Sequence, residues 1–241
     1  MAYIKNTFIY PDGTLEVEKV YSSRYGRHIR NGPREKPTIE EVEKINIRNR
    51  VKKLRRLLRA NFYEDDYHIT LTYPKDNRPT PDIAKKILRR YVAKLRKEYR
   101  KRGHTLKYII VTEYHNKAIH HHMVINNPEN MEKVIKACWE YGHVNFSPLY
   151  ADGDYEELAE YLLKETRKTR AENKNKACYM RSRNLVEPVK KTEIVKASSW
   201  REIPKAPKGY YLDKKTLSAG ISDLTGRPYQ YYTLVKIKRR E

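Results

Sequence analysis

The chain has 241 residues and carries 52 Lys and Arg against 30 Asp and Glu, a formal charge of +22 with a pI near 9.8. That length allows one ordinary domain with extensions or two small ones, and 39 % apolar residues allow a real core under a very polar surface. The positive charge points to a polyanionic partner, most often nucleic acid, while a bilayer-spanning segment and a phosphate-binding loop of an ATP motor are both absent from the sequence.

Residues 3–21 read as a hairpin around Pro11-Asp12-Gly13-Thr14. A basic linker runs to about Pro37, and 38–60 reads as an amphipathic helix with Val42, Ile45, Leu54, Leu57 and Leu58. His68–Tyr73 is a short strand. Thr80-Pro81-Asp82 starts a helix whose apolar stripe is Ile83, Ile87, Leu88, Tyr91, Val92, Leu95 and Tyr99, ended by Gly103. Strands follow at Lys107–Tyr114 and Ile119–Ile125, a helix at Met131–Glu140, a strand at Gly142–Phe146 and a helix at Asp154–Lys168. The order β-α-β-β-α-β predicts an α+β fold of the ferredoxin-like split βαβ kind, an antiparallel sheet with two helices on one face and the other face open for a ligand. Residues 1–60 form a hairpin and helix extension, 61–170 the core, and 171–241 a basic, Tyr-rich and loop-rich C-terminal extension.

The run Ile119-His120-His121-His122-Met123-Val124-Ile125 carries the most chemistry. Side chains alternate along a strand, so His120 and His122 share a face, roughly 7 Å apart at Cα, and His121 takes the other face with Ile119, Met123 and Ile125. The strand before it is joined by a short turn, so Glu113 is expected beside His120 or His122. A carboxylate at the end of an apolar strand is costly unless paired. A divalent cation held by Glu113, His120 and His122 explains all three. A chance surface cluster is the plainer alternative. A non-haem iron facial triad is another, against which the basic charge and the small number of strands both speak.

In the helix at 154–168, Tyr155, Leu158, Ala159, Leu162 and Leu163 span one apolar arc after a capping box from Asp154 to Glu157. Tyr161 and Lys164 fall outside that arc, one turn apart. A phenol, with an ordinary pKa near 10, is a weak nucleophile at neutral pH. A metal and a lysine beside a phosphate supply the missing charge neutralisation, and a covalent tyrosyl intermediate conserves the phosphodiester energy for rejoining.

These residues resemble those of the HUH rolling-circle replication initiators (Rep endonucleases) of small phages, plasmids and related integrated bacterial elements. His68-Ile69-Thr70-Leu71-Thr72-Tyr73 is similar to the family's first, Thr-rich strand. Glu113 with His120-His121-His122 is similar to its metal motif, and Tyr161-Leu162-Leu163-Lys164 to its YxxK motif. Ser182-Arg183-Asn184-Leu185, Pro207-Lys208-Gly209-Tyr210-Tyr211 and Thr225-Gly226-Arg227-Pro228-Tyr229-Gln230 extend the likeness over roughly 60–235. Two positions depart from the family pattern. His121 stands where an apolar residue is usual, and Glu157 stands where two-tyrosine relatives carry a second nucleophile, which implies a one-tyrosine enzyme.

The resemblance implies a metal-dependent endonuclease and strand transferase that nicks single-stranded or hairpin origin DNA. Tyr161 would form a 5′-phosphotyrosine and free a 3′-OH, steadied by Lys164. Mg²⁺ or Mn²⁺ is the expected cofactor and Zn²⁺ the alternative. A host helicase and a host polymerase would be partners. Arg167, Lys168, Arg170, Lys174 and Lys176 follow the tyrosine and are expected either to hold flanking phosphates or to form a solvated loop. Cys138 and Cys178 match no metal or redox spacing and Met1–Lys5 has no apolar signal core, so the cytoplasm of a bacterial host is the expected location. Alternatives are a transposase or mobilisation relaxase of the same chemistry, or a non-catalytic single-stranded nucleic-acid-binding module on an aromatic sheet.

Overall fold

The structure, a computed structural model, describes residues 3–22, 38–115, 118–149, 154–171, 179–196, 200–222 and 226–237, with side chains described at all of these except 114, 115, 118 and 165–171. In chain order the elements are β1 (Tyr3–Ile9), β2 (Leu15–Tyr21), α1 (Ile39–Arg59), β3 (Tyr67–Thr72), α2 (Pro81–Lys101), β4 (Tyr108–His115), β5 (Ala118–Ile125), α3 (Glu132–Cys138), β6 (Val144–Pro148), α4 (Glu156–Ala171), β7 (Met180–Arg181), β8 (Val189–Val195), β9 (Tyr210–Ser222) and β10 (Arg227–Lys236). They fall into two compact units, residues 1–45 with 187–241, and residues 46–186. No helix is long and apolar enough to cross a membrane.

The first unit is a five-stranded sheet in the order β8-β1-β2-β10-β9. The expected hairpin pairs Tyr3 with Tyr21 through to Ile9 with Leu15, and Gly13, at a φ of 83°, makes its turn. The C-terminal extension, expected as loop-rich, has loops at 182–188 and 200–209, and it also supplies the other strands of this sheet. Those strands hide in the sequence because they lack apolar alternation. β8 is exposed along nearly its whole length and is held to β1 by a backbone ladder. Val17, Tyr232 and Leu234 form a small buried cluster, with Leu15, Tyr210 and Leu212 packed against it.

The second unit carries the order β6-β3-β5-β4-β7, with every strand pair antiparallel. The sequence β3-α2-β4-β5-α3-β6 on that order is the split βαβ arrangement, so the α+β expectation holds. Helix α1 opens with a reciprocal capping box. Glu41 N–H donates to Thr38 Oγ1 at 3.2 Å, and Thr38 N–H donates to Glu41 Oε2 at 2.8 Å. Helix α2 starts at Pro81 as expected, but Thr80 caps it with its backbone carbonyl rather than its hydroxyl. Its buried stripe begins at Ala84, while Ile83 is exposed.

Each face of this sheet has its own core. Ile69, Leu71, Tyr108, Ile110, Met123 and Ile125 pack with Leu88, Tyr91, Leu95 and Tyr99 of α2 and Ile135 of α3. On the opposite face, Ile109, Val111 and Val124 pack with Leu54 and Leu58 of α1 and Tyr155, Ala159, Leu162 and Leu163 of α4. The second face, expected to be open, is therefore covered over part of its area, and the helix that covers it brings Tyr161 to the sheet. Two acids at the start of α4 fix its entry: Arg55 of α1 meets Asp154 at 3.2 Å and Glu156 at 3.5 Å.

Gly142 is required where the chain turns into β6. A Cβ built there would lie 2.1 Å from the carbonyl oxygen of Thr72. That oxygen accepts the Trp139 indole N–H at 3.2 Å, and Thr72 N–H donates to His143 O at 3.0 Å. The clash thus falls on backbone already held from two sides. Gly142→Ala is expected to lower the urea midpoint by the equivalent of about 1–3 kcal/mol with an unchanged m-value. A variant with the parental midpoint would show that this approach relaxes freely.

Candidate metal and tyrosine site

The site forms where the alternation of β5 meets the alternation of its neighbours. Glu113 of β4 lies directly across from His120, Val111 across from His122, and Thr72 and Thr70 of β3 across from His120 and His122. His120, His122, Glu113, His68 and Thr70 therefore share the face covered by α4. Glu113 Oε2 is 2.6 Å from His120 Nε2 and 3.3 Å from His122 Nε2. Glu113 and His122 are buried, and His120 is half-buried.

The donors of these three residues all lie within 4.8 Å of one another, so the group is able to bind a metal ion. Ligand bonds of about 2.1 Å at right angles place donor atoms roughly 3 Å apart. The two contacts at 2.6 and 3.3 Å bracket that spacing. Two imidazoles and one carboxylate suit several divalent cations, and the set does not select one.

The outer nitrogen of His122 is also engaged. His122 Nδ1 lies 3.2 Å from His68 Nε2 and 3.4 Å from Thr70 Oγ1. Burial, reinforced by the neighbouring His122, pulls the His68 imidazole down to about 4, so it is neutral at pH 7 and able to accept the Nδ1 proton. That arrangement leaves the His122 Nε2 lone pair turned toward Glu113. His68 stacks on His122 with ring centroids 5.3 Å apart. Sequence reasoning misses its position in the site, although it is in phase with Thr70 and Thr72 on β3.

Tyr161 extends from α4 onto this group. Its hydroxyl is 3.3 Å from His122 Nε2, and its ring meets His122 and His68 edge-on. The ring is 43 % exposed, while the residues of the predicted arc, Tyr155, Leu158, Ala159, Leu162 and Leu163, are all buried. Tyr155 donates its hydroxyl to Phe62 O at 3.1 Å inside the core and does not reach the histidines. Lys164 is exposed one turn beyond Tyr161 on the same helix. Arg167, Lys168 and Arg170 lie on the backbone of α4 beyond the described side chains, and Lys174 and Lys176 lie outside the described residues.

His121 points to the other face and is fully buried. Its Nε2 is 2.9 Å from Tyr73 Oη and its Nδ1 is 2.8 Å from Thr112 Oγ1. A histidine thus fills a core position by having both nitrogens satisfied. Burial first, then the charges of His120 and His122, push its pKa down to about 3.

Residues 66–170 match the family of the replication-associated protein ORF2. No curated protein and no solved structure matches the chain. The matched segment contains β3 to β6, Glu113, the three histidines and Tyr161, and the match supports a role in replication initiation.

Two outcomes follow from this geometry. His120→Ala or His122→Ala should each weaken Mn²⁺ binding, measured by calorimetry, by more than about tenfold. His121→Ala should lower the melting temperature and leave Mn²⁺ affinity within a few-fold, and the reverse pattern would mean an inverted register for β5. The second outcome is a pH dependence. Between about 3 and the ordinary histidine value near 6.5, the unfolded chain binds a proton at His121 that the folded chain refuses. The stability linked to His121 is therefore complete above about pH 6.5 and is lost as pH falls toward 3. In chelator, unfolding free energy should fall between about pH 6.5 and 4, and His121→Gln should show a shallower slope. Identical slopes would place His121 outside this linkage.

Proposed function

We propose that this protein nicks and rejoins single-stranded DNA to initiate rolling-circle replication, with Tyr161 as the nucleophile. The observation that carries this reading is the Tyr161 hydroxyl 3.3 Å from His122 Nε2, on the rim of the Glu113–His120–His122 group. A tyrosine used only for packing would lie on the apolar arc of α4, as Tyr155 does. The match of residues 66–170 to a replication-associated family agrees with the reading.

In the proposed reaction the Tyr161 oxygen forms a bond to phosphorus as the bond from phosphorus to the 3′ oxygen breaks. The phenolic proton leaves, and the departing 3′ oxygen takes up a proton. The products are a 5′-phosphotyrosine and a free 3′-OH, with no change in oxidation state. Glu113, His120 and His122 would hold a divalent cation, Mg²⁺ or Mn²⁺ by preference, and when bound that cation neutralises charge on the phosphate oxygens. His68 and Thr70 keep His122 in the orientation this requires. Lys164, on a flexible stem one turn from Tyr161, is placed to meet a phosphate oxygen as a point charge.

Arg167, Lys168, Arg170, Lys174 and Lys176 are proposed to hold phosphates flanking the nick. The origin strand, single or as a hairpin, is the substrate. A host polymerase extends the 3′ end and a host helicase opens the duplex, all in the bacterial cytoplasm.

The test uses the full chain with a randomised hairpin single-strand pool and Mn²⁺. Wild-type protein should yield a band that resists boiling in detergent, and chelator should prevent it. Tyr161→Phe should remove the band, with at least a hundredfold loss, while the melting temperature and DNA affinity stay near the parental values. A persistent band from Tyr161→Phe would exclude Tyr161 as the nucleophile.

A further inference from the structure

A cavity of about 690 Å³ opens beside the C-terminal half of α2, in the range of sites that take a ligand rather than a lone ion. Arg96 and Arg100 line it from α2, Arg181 and Arg183 from β7 and the turn after it, and His104 and Asn184 complete the charged and amide wall. Among the described residues, no carboxylate lines it. Near it, Glu98 of α2 is held by Lys101 at 2.7 Å and Arg102 at 2.8 Å, and the exposed Glu129 meets His104 at 3.2 Å. Four guanidiniums thus border one space, and its described lining is cationic and neutral throughout.

The arginines sit on fixed backbone. Arg96 and Arg100 are one turn apart on a helix whose other side is buried in the core. Between Arg181 and Arg183, the buried Ser182 is tied to β4 twice. Its N–H donates to Tyr108 O at 3.0 Å, and its Oγ accepts Tyr108 N–H at 3.1 Å. Asn184 donates to Leu106 O at 3.1 Å. Such pre-placement lowers the ordering cost of binding, and planar guanidiniums match phosphate oxygens two by two.

We propose that this cavity is a second nucleic-acid site, which grips the phosphodiester backbone of DNA outside the nicked bond. The choice of DNA rests on the function proposed above. Among the described residues, Tyr108 is the one aromatic in the lining, and it is buried with the α2 core, so it presents no free ring for a base to stack on. Contacts here are therefore to phosphate and carry no sequence information. Tyr108 lies at one end of β4 and Glu113 lies five residues along it, about 17 Å at ordinary strand rise. One DNA molecule that reaches both sites spans at least about five base steps, at roughly 3.4 Å per step along a strand. The cavity thereby sets a minimum substrate length and retains DNA after cutting without reading its sequence.

The test measures DNA affinity against salt by fluorescence anisotropy with the full chain in chelator, so that no cleavage contributes. The variant Arg96→Gln/Arg100→Gln/Arg183→Gln is compared with an equal-charge control, Lys85→Gln/Lys86→Gln/Arg89→Gln, elsewhere on α2. The probes are a single strand of about 30 nucleotides, a hairpin of the same length, and a polyglutamate of matching length. The cavity variant should flatten log K against log salt by about two units on the single strand, or nearly three on the duplex stem. The probe that responds identifies which flank occupies the cavity, and either response supports the proposal. Both variants should keep the parental melting temperature, and the control should lose less than about one unit. An unchanged slope in the cavity variant, an equal loss in the control, or a loss confined to polyglutamate would each overturn it. Because no cutting is measured, failure here is separate from failure to form the tyrosine adduct.

Discussion

Glu113 is buried on a sheet face, and a buried carboxylate needs a partner of opposite charge or a bound cation. That constraint organises the rest of the site. The partners come from β5, whose period of two sends His120 and His122 toward Glu113 and His121 away from it. A slip of one residue would carry His121 to the carboxylate and drive two imidazoles into the α2 core. Register is therefore fixed on both faces, by Tyr73 and Thr112 around His121 and by Glu113, His68 and Thr70 around the other two. The same strand that presents the donors also seals the core behind them.

Helix α4 solves a second problem on that face. Its apolar arc covers Ile109, Val111 and Val124 and so shields the sheet. The residue just off the arc, Tyr161, then falls over the histidines instead of into the core. The placement depends on how α4 enters, which Arg55 sets through Asp154 and Glu156, and on Tyr155 reaching back to Phe62. A reactive group on a well-packed helix is held more closely than one on a loop. The hydroxyl nevertheless stays at the edge of solvent, where a strand of DNA has access.

Much of this is legible in the sequence because it depends on local periodicity. Alternation along 119–125 separates His121 from its neighbours, and the 100° step along 155–163 separates Tyr161 from Tyr155. The β-α-β-β-α-β order is readable for the same reason. What escapes depends on pairing between distant segments. His68 enters the site only because β3 lies beside β5, some fifty residues later. Arg55 meets α4 about a hundred residues further on. The first sheet joins β1 and β2 to strands after residue 188, and β8, exposed and Lys-bearing, shows no apolar alternation by which to find it. The Thr38–Glu41 capping box is local, yet the Thr80-Pro81 signal reads as the stronger one, and there the hydroxyl makes no cap.

The central claim is that a tyrosine on α4, and no other, takes the phosphate. Wild-type protein incubated with single-stranded DNA and Mn²⁺ can be digested with nuclease and protease and its peptides weighed by mass spectrometry. A nucleotide joined through its 5′ phosphate to Tyr161 is the predicted result. The same mass addition on the peptide fragment bearing Tyr155, or on any tyrosine outside α4, would contradict it.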